Sequence, residues 1–374
     1  MQKLIQAETT VQKGELAAAQ IIAAELNTSG IESRIETWDQ TRANIIARVK
    51  STKRSKALLF ACHLDVVGPG EGPWTYPPFA AVESDGKIYG RGAADMKGCI
   101  AAIVTAIRRV AESGARLQGD IILFGAAGEE TDSCGVKRFV DNRAAIGHPS
   151  ALLRAGLAGV VVTEPTEFEV VTAHRGLLWL EVATKGKAAH GSTPHLGVNA
   201  ITCMKSVLDE LENYKIPFEP HELLGGCSMS INKIVGGQAI NIVPDKCSIA
   251  VDIRTVPTQR HQDIVADFGK ILAGLQQKNS QFSAEVSILR DVQALETDDS
   301  CDFVQDFCSA VAASRTKAVG FTTDGPYFAS LGAPVVIFGP GKSELCHKPD
   351  EYIDLADVER AVEYYKKIIL KFLI

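Results

Sequence analysis

Ala57-Leu58-Leu59-Phe60-Ala61-Cys62-His63-Leu64-Asp65 decides how this chain is read, because an apolar run leads straight into an imidazole and a carboxylate. Two further runs share the form. Ile121-Ile122-Leu123-Phe124 passes through Gly125-Ala126-Ala127-Gly128 into Glu129 and Glu130, and Gly159-Val160-Val161-Val162-Thr163 passes into Glu164. Apolar runs of this length between turn residues read as buried strands of a mostly parallel sheet. Ligands of such sheets gather outside the carboxyl ends of the strands. One imidazole and several carboxylates are thus delivered to one sheet edge, which is how a hydrolytic metal centre is assembled.

Working outward, an Ala-rich amphipathic segment from Gly14 to Leu26 reads as a helix, and Ile31–Ile35 and Asn44–Val49 read as strands. Apolar positions Ile100, Ile103, Val104, Ile107 and Val110 place a helix from Gly98 onward. This alternation of strands and helices defines an α/β layer fold up to Glu164. Near residue 176 the pattern changes. Strands at Leu177–Ala183, Cys227–Lys233, Lys246–Arg254 and Ala284–Leu289 alternate with helices at Asn199–Leu211 and His261–Gln276. The order β-α-β-β-α-β describes a ferredoxin-like unit. Pro334-Val335-Val336-Ile337-Phe338-Gly339 then supplies another buried strand of the first type, and Val358–Phe372 a closing amphipathic helix. The expected organisation is a catalytic domain over 1–175 and 291–374, interrupted by an inserted domain over 176–290.

A chain of 374 residues accommodates two domains, since single cores stop growing near roughly 250–300 residues. Its net charge of −6 argues against nucleic acid or an anionic membrane as partner. The densest basic cluster, Lys53-Arg54-Ser55-Lys56, reads as a solvated turn before a strand. No apolar stretch reaches the roughly 18 residues of a membrane helix, and the first residues lack a signal-peptide core. The expectation is a cytoplasmic protein. Nine scattered cysteines without a Cys-x-x-Cys pair fit reduced thiols. Cys62 and Cys346 adjoin His63 and His347, but neighbours on an extended strand point to opposite faces, so buried small hydrophobes are the better account.

His63 and Asp65 stand two apart, on one face of an extended strand, where the carboxylate can hold the ring's other N–H. Asp95 lies in the Gly-rich turn Gly90-Arg91-Gly92-Ala93-Ala94-Asp95-Met96-Lys97-Gly98, which opens a helix. Adjacent Glu129 and Glu130 allow one carboxylate to bind metal and the other to act as base. Each of these acids alone is as readily a helix cap or a solvated loop residue, and His347 alone an ordinary histidine. Their convergence on one predicted edge changes the odds.

At these residues the chain resembles the dinuclear-zinc amidohydrolases that include acetylornithine deacetylase, succinyl-diaminopimelate desuccinylase, aminoacylase and glutamate carboxypeptidase. The resemblance rests on His63-Leu64-Asp65-Val66-Val67, Gly72-Pro73-Trp74, Gly90–Gly98, Gly128-Glu129-Glu130 and Thr163-Glu164-Pro165-Thr166. It continues through Gly186-Lys187-Ala188-Ala189-His190-Gly191 and Cys346-His347-Lys348-Pro349-Asp350-Glu351-Tyr352. It implies a three-layer α/β/α metal-dependent catalytic domain with an inserted ferredoxin-like lid and dimerisation domain. It also implies two divalent metal ions, with zinc the expected occupant and cobalt or manganese as substitutes. Asp95 would bridge the ions, His63 and Glu164 completing one site, Glu130 and His347 the other. Asp65 would orient His63, and the peptide bond after Asp95 would be cis. Hydrolysis would proceed through a metal-bridging water from which Glu129 takes a proton. His190 would stabilise the oxyanion, from this chain or from a partner subunit.

The same resemblance makes Arg254 the substrate-carboxylate arginine, suited to it by the planar guanidinium fork. A strand-end arginine is equally a partner for Asp252. Asn241 resembles a residue lining the substrate cavity, and Thr323–Gly325, with Thr323 first, and Gly339-Pro340-Gly341 resemble backbone contacts around the substrate. The expected reaction is hydrolysis of an N-acyl bond on a small amino acid of cellular amino-acid metabolism, acetylornithine deacetylase-like first. A succinyl-diaminopimelate desuccinylase or other N-acylamino acid hydrolase comes second, and a carboxypeptidase or dipeptidase third. A catalytically silent peptide-binding relative is the reading from another class, against which the intact Glu129 and ligand set speak. The partners expected are the small acylated substrate and a second copy of the chain, joined through the inserted domain. The segment Ile5–Thr10 departs from the family's usual Pro-Ser-containing opening.

Overall fold

The computed structural model describes residues 1–53, 55–141 and 156–374, so Arg54 of the basic cluster lies outside them. Contacts divide the chain into two compact units. The first comprises Met1–Thr172, Thr297–Ala318 and Thr323–Ile374, the second Ala173–Glu296 and Val319–Thr322. The strands used below are, in chain order, β1 (Glu32–Thr37), β2 (Ala43–Val49), β3 (Ser55–His63), β4 (Gly119–Ala126), β5 (Leu157–Val162), β6 (Gly176–Lys185), β7 (Ser228–Gly236), β8 (Lys246–Thr255), β9 (Ser283–Val292) and β10 (Val335–Ile337). The helices are α1 (Leu16–Asn27), α2 (Gly98–Glu112), α3 (Cys134–Asp141), α4 (Ala200–Asn213), α5 (His261–Lys278), α6 (Asp302–Val311), α7 (Gly325–Ala329) and α8 (Leu355–Leu373).

The first unit is built on a sheet ordered β1-β2-β4-β3-β5-β10. β3 runs parallel to β4 and β5, and β10 runs parallel to β5, so four strands end on one edge. β1 and β2 are antiparallel, and β2 meets β4 antiparallel. The sheet is therefore mixed, not mostly parallel as the apolar runs imply. The link between β1 and β2 at 38–42 is too short for a crossover, and a link that short joins only antiparallel neighbours.

Alternation along β3 separates two faces. Leu58, Phe60 and Cys62 enter a core shared with α1, α2, α6 and α8. On the opposite face Phe124 of β4 stacks on Phe139 of α3 at 4.3 Å and meets Phe328 of α7 edge-on at 5.9 Å. Helices thus cover both faces, giving three layers. α2 buries Ile100, Ile103, Val104, Ile107 and Val110, the stripe its sequence spacing predicts. Each such side chain contributes about 1.5–3 kcal/mol on burial. α2 begins directly after the turn that carries Asp95, so packing of α2 fixes where that turn stands.

The second unit orders its strands β7-β8-β6-β9, every neighbour antiparallel, with α4 and α5 packed on one face. That is the ferredoxin-like arrangement. In β8 every second residue is buried, namely Cys247, Ile249, Val251, Ile253 and Thr255. Asn199 caps α4, its Oδ1 accepting from the N–H groups of Ile201 and Thr202 at 2.9 and 3.2 Å. β7 is an edge strand. All nine cysteines are free, Cys62 buried and Cys346 partly so. Among the described residues no helix is long and apolar enough to cross a membrane.

Candidate metal centre

β3 ends at His63, and the chain continues extended. Leu64 N–H donates to Ala126 O at 2.8 Å and Val66 N–H to Thr9 O at 3.0 Å, while Thr9 Oγ1 donates to Leu64 O at 2.6 Å. Asp65 thus lies beyond the strand rather than on it. His63 Nδ1 faces the Asp65 backbone carbonyl at 3.0 Å and the Asp65 carboxylate at 3.6 Å. A carbonyl oxygen only accepts, so Nδ1 carries the proton and Nε2 turns inward. There it lies 2.9 Å from Asp95 Oδ1 and 3.8 Å from Glu164 Oε2. The Asp65 carboxylate accepts the backbone N–H groups of Glu129 and Glu130 at 3.1 and 3.0 Å. One residue therefore fixes both, the ring through its backbone carbonyl and the paired acids through its carboxylate.

Asp95 sits in the turn Ala93–Lys97, and the Asp95–Met96 peptide bond is cis. Gly92 enters the turn at φ +84°, where a Cβ would come within 2.6 Å of Val66 Cγ1. Gly128, at φ +75°, performs the same service before Glu129 and Glu130; a Cβ there would lie 2.6 Å from both Arg42 and Asp132. Glu164 follows β5, where Thr163 bonds Ala61 O of β3 through both its N–H, at 2.9 Å, and its Oγ1, at 3.2 Å. His347 lies in a loop after β10 at φ +65°, half-exposed, with Nε2 2.9 Å from Glu130 Oε1 and 3.3 Å from Asp95 Oδ2.

Two donor groups result among the described residues: His63, Asp95 and Glu164, and Asp95, Glu130 and His347. Their ligand atoms lie within 4.8 Å of one another in each group, and Asp95 belongs to both. The imidazole Nε2 of each histidine faces carboxylate oxygens, an arrangement that calls for a proton or a metal ion between them. The electrostatics say the same. Burial alone would lower the His63 pKa, but Glu164, Asp65 and Asp95 outweigh it and hold the ring well above its usual range. Hydrogen bonds to Asp95 and Glu130 push His347 up to about 10. Burial and the neighbouring acids, against the pull of His63, push Glu164 up to about 8. Glu129 is likewise raised by burial and by Asp324, Glu130 and Glu164. Carboxylates crowded this closely need cations, and mixed imidazole and carboxylate donors fit a pair of divalent ions. Glu129 belongs to neither group but lines the same small cavity as His63 and Glu164.

Three of the remaining candidates lie in the second unit. His190 is exposed in the loop after β6; Ser192 N–H donates to its Nδ1 at 3.2 Å and Ser192 Oγ stands at 2.7 Å, which leaves Nε2–H as a donor. Asn241 is exposed beside it, its backbone carbonyl accepting from Gly191 N–H at 2.8 Å. Arg254 pairs with Asp252 through Nε at 2.9 Å and Nη2 at 3.1 Å. That pairing occupies one edge of the guanidinium and leaves the Nη1 edge turned elsewhere. In the first unit Thr323 is buried, its Oγ1 accepting from Gly325 N–H at the start of α7. Gly341, at φ +93°, lies beside Pro165 and Ala94, and its carbonyl accepts from Glu167 N–H.

Sequence reasoning missed several residues. Asp324 was expected only as a backbone contact within Thr323–Gly325, and the structure buries it in the cavity that Glu129 lines. Lys97 is buried with no hydrogen-bond partner for Nζ among the described residues, and desolvation brings it down to about 7 against the pull of Glu351, Asp65 and Glu8. Thr9 supports the strand end without any motif to announce it.

The family model of peptidase family M20/M25/M40 matches residues 59–371. A probable succinyl-diaminopimelate desuccinylase of Staphylococcus epidermidis is 28% identical over 96% of this chain and 93% of its own length. The acetylornithine deacetylase of Proteus mirabilis is 29% identical over 95% of this chain and 90% of its own. An M20 family metallo-carboxypeptidase of Sulfolobus solfataricus, 17% identical, superposes with a TM-score of 0.79 over 99% of this chain and 98% of its own, which establishes a shared fold. Fold, donor set and relatives agree on one class, the metal-dependent amidohydrolases. The chain belongs to peptidase family M20/M25/M40.

Proposed function

We propose that this protein removes the acyl group from a small N-acylated amino acid, in the manner of an acetylornithine deacetylase, with two divalent metal ions, zinc first, held around Asp95. His63 and Glu164 complete one site, Glu130 and His347 the other. The observation that carries this reading is the pair of donor groups sharing Asp95, with Glu129 beside them and outside both. The ions, when bound, supply Lewis acidity to the amide carbonyl and acidify the attacking water. Glu129 takes the proton of that water and returns it to the leaving amine. His190, from this chain or a second copy, donates Nε2–H to the developing oxyanion. Asp252 holds one edge of Arg254 so that the other meets the substrate carboxylate.

Residues 1–175 and 291–374 serve as the catalytic domain and 176–290 as lid and dimerisation domain. The open edge of β7 supports a homodimer, because Ile231, Ile234 and Val235 are exposed along it. Nine free thiols support a cytoplasmic location. The acyl group is tested by assaying N-acetyl and N-succinyl derivatives of ornithine, diaminopimelate and neutral amino acids, with dipeptides alongside, after metal removal and reloading with zinc or cobalt. N-acetylornithine should be turned over fastest. Turnover of N-succinyl-diaminopimelate alone would move the assignment to a desuccinylase, and turnover of dipeptides alone would replace it with a peptidase.

A further inference from the structure

Arg91 and Glu351 form a buried ion pair in the first unit, their side chains 2% and 0% exposed, with Nη1 2.6 Å from Glu351 Oε2. Glu351 Oε1 accepts the backbone N–H groups of Ala94 and Asp95 at 2.9 and 3.1 Å. Its own backbone carbonyl accepts from Gly90 N–H at 2.8 Å. Arg91 extends the other way. Nη1 also donates to Lys348 O at 3.2 Å, directly after His347, and Nε donates to Gly68 O at 3.3 Å, in the segment that leaves His63 and Asp65. The guanidinium lies over the Trp74 ring at 5.1 Å.

Two side chains thus tie together the chain at three ligand-bearing stretches. A pair this buried is a weak source of stability, because desolvation offsets its attraction and an apolar pair of similar volume does as well or better. Its geometry is the more informative property. His347 and Asp350 both stand at positive φ, +65° and +57°, so the His347 loop holds a conformation that its residues do not favour unaided. The Asp350 carboxylate accepts from Thr75 N–H and Oγ1 at 2.7 and 2.8 Å on the outer side of that loop. Glu351 and Arg91 hold the inner side.

We infer that Arg91 and Glu351 are positioning residues for the metal pair: the ion pair sets the separation of Asp95 from His347 and so the affinity for the ion that Asp95, Glu130 and His347 hold. This rests on the metal reading given above. Groups that orient metal ligands from outside typically change metal affinity by about 10–100-fold when altered.

The test is chelator competition with zinc, together with the visible absorption of the cobalt-loaded protein, on wild type, Glu351→Gln and Arg91→Lys. Glu351→Gln sets an amide against a guanidinium. Arg91→Lys keeps the charge paired but loses the planar fork, and it keeps the question answerable if the first variant does not fold. The expected result is affinity for one of the two ions reduced by about tenfold or more, with an altered cobalt spectrum and a metal-free protein that retains its wild-type circular dichroism. Unchanged affinity and spectrum in a folded variant, with only the melting temperature lowered, would overturn the inference. Wild type that takes up no metal would instead overturn the functional reading beneath it.

Discussion

The carboxylate of Asp65 accepts the backbone N–H of Glu129 at 3.1 Å, so the residue beside the His63 ring also fixes the acid proposed as base. Both Asp65 oxygens are acceptors for amides, Oδ1 for Glu129 and Oδ2 for Glu130. In Asp65→Asn one oxygen becomes an NH2 group facing an N–H. We predict that Asp65→Asn is nearly as damaging as Asp65→Ala, each lowering kcat by about 10²-fold or more and weakening zinc binding by about 10–100-fold. Steady-state kinetics with zinc competition decide it. An Asn variant close to wild type would refute the account of this residue.

Glu129 stands outside both donor groups. Glu129→Gln should therefore keep wild-type metal content while kcat falls by about 10²–10⁴-fold, the range for loss of a general base. Metal analysis of the variant separates the two roles. Loss of metal along with activity would place Glu129 among the ligands.

Arg254 and Asp252 predict a split in the kinetic constants. Arg254→Lys retains charge but loses the fork, and Asp252→Asn frees the guanidinium from its partner. Both should raise KM for an acylamino acid about tenfold or more, with little change in kcat. Equal KM values across the three proteins would assign the pair to the strand alone.

His174 gives a pH dependence away from the metal ligands. It is fully buried, and burial holds it down to about 4 against an ordinary value near 6.5, while Nδ1 bonds Arg175 O at 2.8 Å. Below about pH 6.5 the unfolded chain takes up a proton that the folded chain refuses until about pH 4. This histidine thus leaves stability untouched above pH 6.5 and lowers it progressively down to pH 4, by about 3 kcal/mol in all. His174→Asn, which can keep the hydrogen bond, should lose that share of the slope. Urea unfolding of both proteins from pH 7 to pH 4 measures it, and parallel curves would contradict the assignment.

Much of this was legible in the chain itself. His63, Glu130 and Glu164 follow apolar runs whose strandhood is a local property, and those strands are parallel neighbours in the sheet. The antiparallel β1–β2 pair is not visible in the three apolar runs, because its direction is set by the short link between two other strands. Arg91 and Glu351 lie 260 positions apart, and each alone reads as a surface charge. Only the fold brings them into one buried pair. The Arg254–Asp252 contact was foreseeable from spacing, since alternate residues of a strand share a face. Which edge of the guanidinium stays open was not.

The central claim is a two-ion centre organised by Asp95, and zinc bound per chain tests it most directly. Wild type, stripped and reloaded, should hold two tight ions, and Asp95→Ala should lose tight binding at both sites because both donor groups contain that carboxylate. One ion at saturation in wild type, or an Asp95→Ala protein that keeps its full complement, would contradict it.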